Sequence, residues 1–481
     1  MVKVARAGLV VASLVAATTV ALSPSGGAVA APPVDQGSVR ESVRYLVKAY
    51  GVSEREALRR LDLQKQADGL DEVLRKDASA EYGGMWIDQA AGGELVVAMT
   101  ETAVAEPHLA KLPDRSHVRT RTVEHSLAEL TEARGRIAAR VGAGPEAVYL
   151  PAISETENRV VVWERAWVPR AVTASAAADT AQRAVAAEPG IAVVRPLAEP
   201  EPMATPNVDW GFCHPLYCTN YGPMRGGLRL DMKRDNGTWG GCTSGFNLRS
   251  TGGGFPGKAW VLTAGHCMAT KTNGTPTQHN GNDVVQQHGI EKNIYPYDYA
   301  ALPYVDDATA VTWLDGQTGR NRVLKYCRNG GLDSNHDTPC GQQATSVDEE
   351  ITGTHTLDEI KAGWVVCATG SGSSAINYPD SVDSGAGQDY LVGTRCGRVL
   401  STDVGINTDI CARAGDSGGP LFSQVDHTAL GILEGSQQAR SGPCQLGELN
   451  NYVPIETIIT ELNARIAGQG STFAVITTPN G

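Results

Sequence analysis

The sequence predicts two unlike halves: a small α/β region followed by an all-β sandwich or barrel. Three observations carry this. All ten cysteines lie from Cys213 onward. Glycine becomes dense over the same stretch, where short apolar runs alternate with turns. Before residue 196 the chain is instead Cys-free and rich in Ala, Glu and Arg, with apolar residues at helical spacing.

In the first half, Val39, Val43, Leu46, Val47 and Tyr50 share one helical face, and Gly51 stops that helix. Ser53 with Glu56 reads as a capping box opening a second helix that runs towards Lys76. Met85-Trp86-Ile87 and Leu95-Val96-Val97 flank a Gly-Gly turn and read as a hairpin. The pattern then recurs. A helix over 126–141 precedes Val148-Tyr149-Leu150 and Val160 to Trp163, so two helix-plus-hairpin units make up the α/β region. Residues 196–207 hold four prolines and few large apolar groups, which marks a linker and a natural cleavage point. In the second half, strand character falls on Trp260–Thr263, Tyr299–Leu302, Gly363–Val366, Leu391–Val392 and Ala429–Leu433. Only the tail looks helical there, with Ile455, Ile458, Ile459, Leu462 and Ile466 on one face.

At 481 residues the chain is long enough for about three units of ordinary size. Its 53 acidic residues outnumber 41 basic ones, which argues against a nucleic-acid partner, because phosphates need a basic stripe. An even set of cysteines confined to one half reads as disulfides formed in an oxidising compartment. Zinc prefers close C-x-x-C pairs, which this sequence lacks, so no metal is expected. Lys3 and Arg6, the apolar stretch Ala7 to Leu22 and Ala28-Val29-Ala30 follow the pattern of a secretory signal over residues 1–31. The apolar run is shorter than the ~20 residues a membrane span needs, so a soluble, secreted product is expected.

Three segments carry chemistry together. In WVLTAGHC a strand ends at Thr263, and His266 sits on the turn beyond it, where a general base can be held still. In GDSGGP the glycines let the backbone turn sharply around Ser417, so that the N–H groups of Gly415 and Ser417 can form an oxyanion hole. In YPYDYAAL, Asp298 opens an apolar run. Its partly buried carboxylate needs a partner, and an imidazole N–H suits it, although Asp283, Asp306 and Asp307 are rivals. Each string taken singly has a bland reading, as a surface histidine, a Gly-rich turn or a solvated acid. The order His, Asp, Ser distinguishes the set from the subtilisin and α/β-hydrolase orders.

Residues from about 224 to 452 resemble the chymotrypsin-like serine peptidases, most of all the bacterial streptogrisin and α-lytic protease branch. The matching strings are GGCTSGFNL (240–248), WVLTAGHC, Asp298-Tyr299-Ala300, CARAGDSGGPLF (411–422) and the GPC ending at Cys444. YGGMWID (82–88) resembles that branch's pro region. The resemblance implies an all-β double β-barrel over 208–481, preceded by an α/β pro domain over 32–195 that acts as folding catalyst and inhibitor. It implies Ser417 as nucleophile, His266 as base then acid, and Asp298 as the orienter of His266. It implies the pairs Cys242–Cys267, Cys367–Cys396 and Cys411–Cys444, leaving Cys213–Cys218 and Cys327–Cys340 as local loops. Protein or peptide substrates, no cofactor and a monomeric state follow from the same resemblance.

Three departures from the branch stand out. Relatives carry an arginine after the first cysteine of the Cys367–Cys396 pair, opposite in charge to the Asp before the nucleophile. Here that place is Ala368, so another cation, a nearby Arg or a new N-terminus, is expected at Asp416. Relatives read Ser-Gly-Gly beside the specificity pocket, whereas this chain reads Glu434-Gly435-Ser436. Glu434 then lies near Asp298 or faces a basic substrate group. Arg413 is the one charge in the opposite wall. An insertion between Trp313 and Glu350 holds Cys327, Cys340 and Asp333 to Asp337, an acidic string with weak likeness to a calcium loop. The rival reading from another class is a secreted binding protein that keeps the barrels without catalysis. An esterase using the same site is a third.

Overall fold

The computed structural model describes residues 34–142, 147–165, 174–202, 223–255, 257–268, 271–314, 320–329, 332–333, 345–372, 394–437 and 448–478. The expected secretory signal lies outside them, as do Cys213, Cys218, Cys340, Cys444 and the expected strand at Leu391–Val392.

The N-terminal region is α/β, built twice over. The helix Arg40–Tyr50 ends at Gly51, whose φ of 65° is the left-handed conformation a glycine adopts freely. Ser53 caps the helix Glu54–Asp77 by accepting from the Glu56 N–H. The expected reciprocal half of that box is not made, because the Glu56 carboxylate is taken by Arg59 and Arg60. The full capping box belongs to Ser126 and Glu129, at the start of the helix Leu127–Val141. The hairpin Tyr82–Asp88 with Glu94–Met99 pairs Met85 with Val97 and Ile87 with Leu95. The hairpin Tyr149–Ser154 with Arg159–Glu164 pairs Leu150 with Trp163. Each hairpin gains a third, parallel strand that the residue pattern did not announce: Val118–Thr122 in the first sheet and Ala192–Pro196 in the second. Val118–Thr122 alternates Val and Thr with two arginines, so its apolar face is too thin to read.

The second half is the chymotrypsin-like double barrel. Its first barrel joins two sheets. One runs in the order Ile290–Lys292, Tyr299–Pro303, Ala259–Thr263, Asn247–Thr251, Thr472–Val475, and the other in the order Asn282–Val285, Thr277–His279, Arg229–Lys233, Trp239–Thr243. The second barrel closes on itself: Thr428–Ser436, Pro420–Ser423, Val365–Ala368, Arg395–Ser401, Ile406–Thr408 and Asn450–Pro454 pair in turn, and the last pairs back to the first. Trp364 lies outside the strand that the apolar run Gly363–Val366 suggested, because Gly363 donates to Val399 O in a turn. The helix Ile455–Ile466 buries all five residues of its apolar face.

The two halves share one core. Val39, Leu46, Ala57 and Leu61 pack in one apolar cluster with Phe422, Ile432, Ile455 and Leu462. Burying such side chains stabilises by about 1.5–3 kcal/mol each. Backbone polar groups are also matched across the seam. Ile87 N donates to Ala362 O at 3.0 Å, and the Gln64 amide exchanges two hydrogen bonds with Val365. Gly363 makes that approach possible, since a Cβ there would fall 1.8 Å from Ile87 O. Lys361, nearly fully buried, is held by Glu155 at 2.9 Å and Asp71 at 3.2 Å. The stretch 196–207 is more than a connector. Its residues Glu201–Pro202 form a short strand against Ser436 and Gly435.

Candidate active site

His266 sits in the single 3₁₀ turn Gly265–Cys267, directly after the strand Ala259–Thr263. Gly265 lets this turn press onto the neighbouring chain, since a Cβ there would fall 1.9 Å from Lys292 O. The disulfide Cys242–Cys267 ties the turn to the strand Trp239–Thr243 across 25 residues of sequence. A crosslink of that loop length is worth about 3 kcal/mol.

Asp298 precedes the strand Tyr299–Pro303, which pairs with the histidine's own strand through Thr263 and Ala300. That register brings the acid to the ring. Asp298 Oδ1 accepts from the His266 backbone N–H at 2.7 Å, and Oδ2 meets Nδ1 at 2.5 Å. With the carboxylate holding Nδ1–H, Nε2 is left as an acceptor, and it lies 2.8 Å from Ser417 Oγ. Asp298 is 2 % exposed and Ser417 fully buried. Two of the rival acids are used elsewhere. Asp306 caps the helix Asp307–Trp313, and Asp283 accepts from Gln278.

Ser417 stands on a tight turn. Gly415 (φ 97°) and Gly418 (φ 82°) both occupy left-handed backbone, and a Cβ on Gly418 would fall 2.2 Å from Thr263 Oγ1. Ser417 O accepts from Thr243 N, and Gly418 N donates to Leu433 O, so the Ser417 turn is laced to both barrels.

Asp416 is buried and saturated. It accepts from Gly372 N and Arg413 N at 2.7 Å each, and Arg395 Nη2 lies 3.0 Å away. The expected cation is therefore an arginine, and residue-level reasoning missed which one. The signal was present. Cys367 pairs in register with Cys396, so Ala368, after the first cysteine, lies across the ladder from Arg395, before the second. Cys367–Cys396 is a disulfide, as the resemblance implied. Cys411 is also disulfide-bonded, and its expected partner Cys444 lies outside the described residues. The strand that holds Cys327 is described, but its bridge to Cys340 falls outside the described residues, as do Ser334 to Asp337 of the acidic string.

Arg413 does not offer a charge to the cleft. It is fully buried, and its guanidinium forks onto Glu448 at 2.7 and 2.8 Å. The fork neutralises the charge inside the wall, which corrects the expectation of a pocket-facing cation. Gly435 and Ser436 are occupied by Pro202 and Glu201, and a Cβ on Gly435 would fall 2.2 Å from Glu201 O. Glu434 is 2 % exposed. Burial raises its pKa well above the usual carboxylate range, with Asp298 and then Glu199 pushing the same way and Arg165 opposing them. Cys242, His266 and Cys267 lie close enough to resemble a metal cluster, but the two sulfurs are bonded to each other and carry no thiolate.

The family model for trypsin matches residues 233–457. That stretch is trypsin-like. The chain is similar to streptogrisin-D of Streptomyces griseus, with 25 % identity over 404 residues, covering 83 % of this chain and 79 % of the relative. Among solved structures, Thermobifida fusca Protease A is 18 % identical, with 53 % of this chain and 98 % of that one covered and a TM-score of 0.31. An α-lytic protease homolog, N4, is 19 % identical, covering 50 % and 97 %, with a TM-score of 0.29. The matched stretch includes His266, Asp298 and Ser417, and the closed second barrel carries the strand on which residues 201–202 lie. No helix among the described residues is long and apolar enough to cross a membrane.

Proposed function

We propose that the chain is the precursor of a secreted serine endopeptidase, whose N-terminal region 32–195 serves as its folding template and inhibitor. The observation that carries this is the line Asp298 Oδ2, His266 Nδ1, His266 Nε2, Ser417 Oγ, with contacts of 2.5 and 2.8 Å at its two ends. Ser417 Oγ attacks the peptide carbonyl carbon and gives its proton to His266 Nε2. Asp298 keeps the ring in the needed tautomer and stabilises the imidazolium. The N–H groups of Gly415 and Ser417 take the negative charge that develops on the carbonyl oxygen, each worth about 10²–10³ in rate. Collapse breaks the C–N bond, the imidazolium passes its proton to the leaving amine, and an acyl-enzyme remains. Water, deprotonated by His266, then releases the acid.

The inhibitory role is supported by the segment that follows this region, whose strand Glu201–Pro202 takes the antiparallel edge of Ser436 and Gly435 that an extended substrate would use. The templating role rests on the apolar cluster shared between the two halves. A fluorophosphonate probe tests the reading. The wild-type chain is expected to be tagged at Ser417, Ser417→Ala not at all, and Asp298→Asn about 10⁴-fold more slowly. Folded, processed protein that ignores the probe supports the binding-protein reading instead. Because His266 must be neutral to act as base, labelling is expected to fall in acid.

A further inference from the structure

Away from the catalytic line, the seam between the two halves holds a cleft of about 350 Å³. One wall comes from the N-terminal region, with Leu127 and Gly135 on the helix Leu127–Val141 and Leu150 on the strand Tyr149–Ser154. The other comes from the second half, with Tyr297 before Asp298, and Asp403 and Val404 after the strand Arg395–Ser401. Its volume and apolar walls are those of a small-molecule site.

Most of the charges that line the cleft are matched by a neighbour. Arg134 meets Asp358 at 3.2 Å, Arg75 meets Asp71 at 2.6 Å, and Glu155 meets Lys361 at 2.9 Å. Asp403 differs. Its Oδ1 accepts from Val404 N at 3.0 Å and from Ser401 Oγ and Asn407 Nδ2 at 3.2 Å each. No hydrogen bond reaches its Oδ2, and no cation lies within ion-pair distance of the carboxyl, among the described residues. Three donors thus fix the group while one oxygen stays open. Burial raises its pKa above the ordinary carboxyl value, the direction expected of an acid that lacks a counter-charge.

We propose that this cleft binds a small organic cation, an ammonium or guanidinium group on a compact apolar body. The cation sits on Asp403 Oδ2, and the body lies against Leu127, Leu150 and Tyr297. A charge-assisted hydrogen bond to a carboxylate held out of water supplies the specificity, and the apolar walls exclude anions and strongly hydrated ions. The ligand touches both halves at once. The site does not use Ser417, so it goes beyond the reading of the chain as a peptidase precursor.

The test is calorimetric titration of the full-length Ser417→Ala chain, which cannot cut itself by the chemistry proposed above. Phenethylamine, 2-phenylethanol and phenylacetate present the same ring with a cationic, a neutral and an anionic end. Phenethylamine is expected to bind at a single site about tenfold or more tighter than 2-phenylethanol, and phenylacetate not at all. Asp403→Asn keeps the Oδ1 acceptor and is expected to lower the amine to the affinity of the alcohol. Gly135→Leu places a side chain where a Cβ meets nothing within 4 Å, so it fills the cleft and is expected to weaken the amine and the alcohol together. It keeps the proposal falsifiable if Asp403→Asn fails to fold. Amine binding no tighter than that of the alcohol, or undiminished in folded Asp403→Asn or Gly135→Leu, overturns the proposal. None of these outcomes depends on Ser417 being a nucleophile.

Discussion

Arg395 lies directly across an antiparallel ladder from Ala368, and its guanidinium sits 3.0 Å from the Asp416 carboxylate. Both partners are nearly fully buried. The carboxylate before Ser417 is thus neutralised from the strand that faces Ala368. Breaking a buried pair by removing one member costs about 3–5 kcal/mol, because the other charge stays behind. Arg395→Met is therefore expected to lower unfolding stability by that amount and to reduce the fraction of chains labelled at Ser417. Adding Ala368→Arg to that variant restores a cation from the facing position, and labelling is expected to recover in part. Urea denaturation and probe labelling on the single and double variants check both statements.

Gly435 is the second position where a small change should separate two functions. Its missing side chain admits the Glu201 carbonyl, which a Cβ would meet at 2.2 Å. Gly435→Val leaves Asp298, His266 and Ser417 untouched while closing the edge that holds Glu201–Pro202 and that is proposed to receive an extended substrate. Peptide hydrolysis is expected to fall by more than about tenfold, from the loss of main-chain hydrogen bonds worth about 1 kcal/mol each and the added clash. The small fluorophosphonate probe, which needs no such pairing, should still react. Equal losses for peptide and probe would show that Gly435 supports the whole site rather than the edge.

Much of this was legible in the chain because it is local. His266, Asp298 and Ser417 each sit in strings whose neighbours dictate the turn, and the apolar face of Ile455–Ile466 repeats at helical spacing. What stayed hidden depends on pairing between distant segments. Arg395 became readable only through the register of Cys367 with Cys396. Glu201–Pro202 looked like a linker because two exposed residues with a proline carry no strand pattern of their own. Their partner is the edge at Gly435. Arg413 looked like a free charge because Glu448, 35 residues on, is invisible to any local window.

Gly363 tests the seam between the halves. Its φ of 83° and the Ile87 carbonyl, 1.8 Å from where a Cβ would stand, both exclude larger residues. Gly363→Ala should leave the barrel strands able to form but push the hairpin Tyr82–Asp88 away. If the N-terminal region templates folding, the yield of soluble chains with a labelled Ser417 should fall several-fold. Barrel folding that proceeds at the wild-type yield would remove the templating role.

His355 gives the chain a pH signature of its own. Burial pulls its pKa down, but hydrogen bonds to Asp426, at 2.6 Å, and to Glu359 outweigh that and hold it up at about 10. Asp68, on the N-terminal helix Glu54–Asp77, adds to the pull. A histidine whose folded-state pKa lies above its unfolded value of about 6.5 stabilises fully below that value. The contribution is then lost progressively as pH rises through about 10. Unfolding stability is therefore expected to decline from about pH 6.5 upward. His355→Phe keeps the ring's bulk against Trp364 but cannot carry the charge. It should lower stability at neutral pH and flatten the decline above it, as read from urea midpoints between about pH 6 and 10. A slope unchanged by His355→Phe would place the alkaline transition on another group.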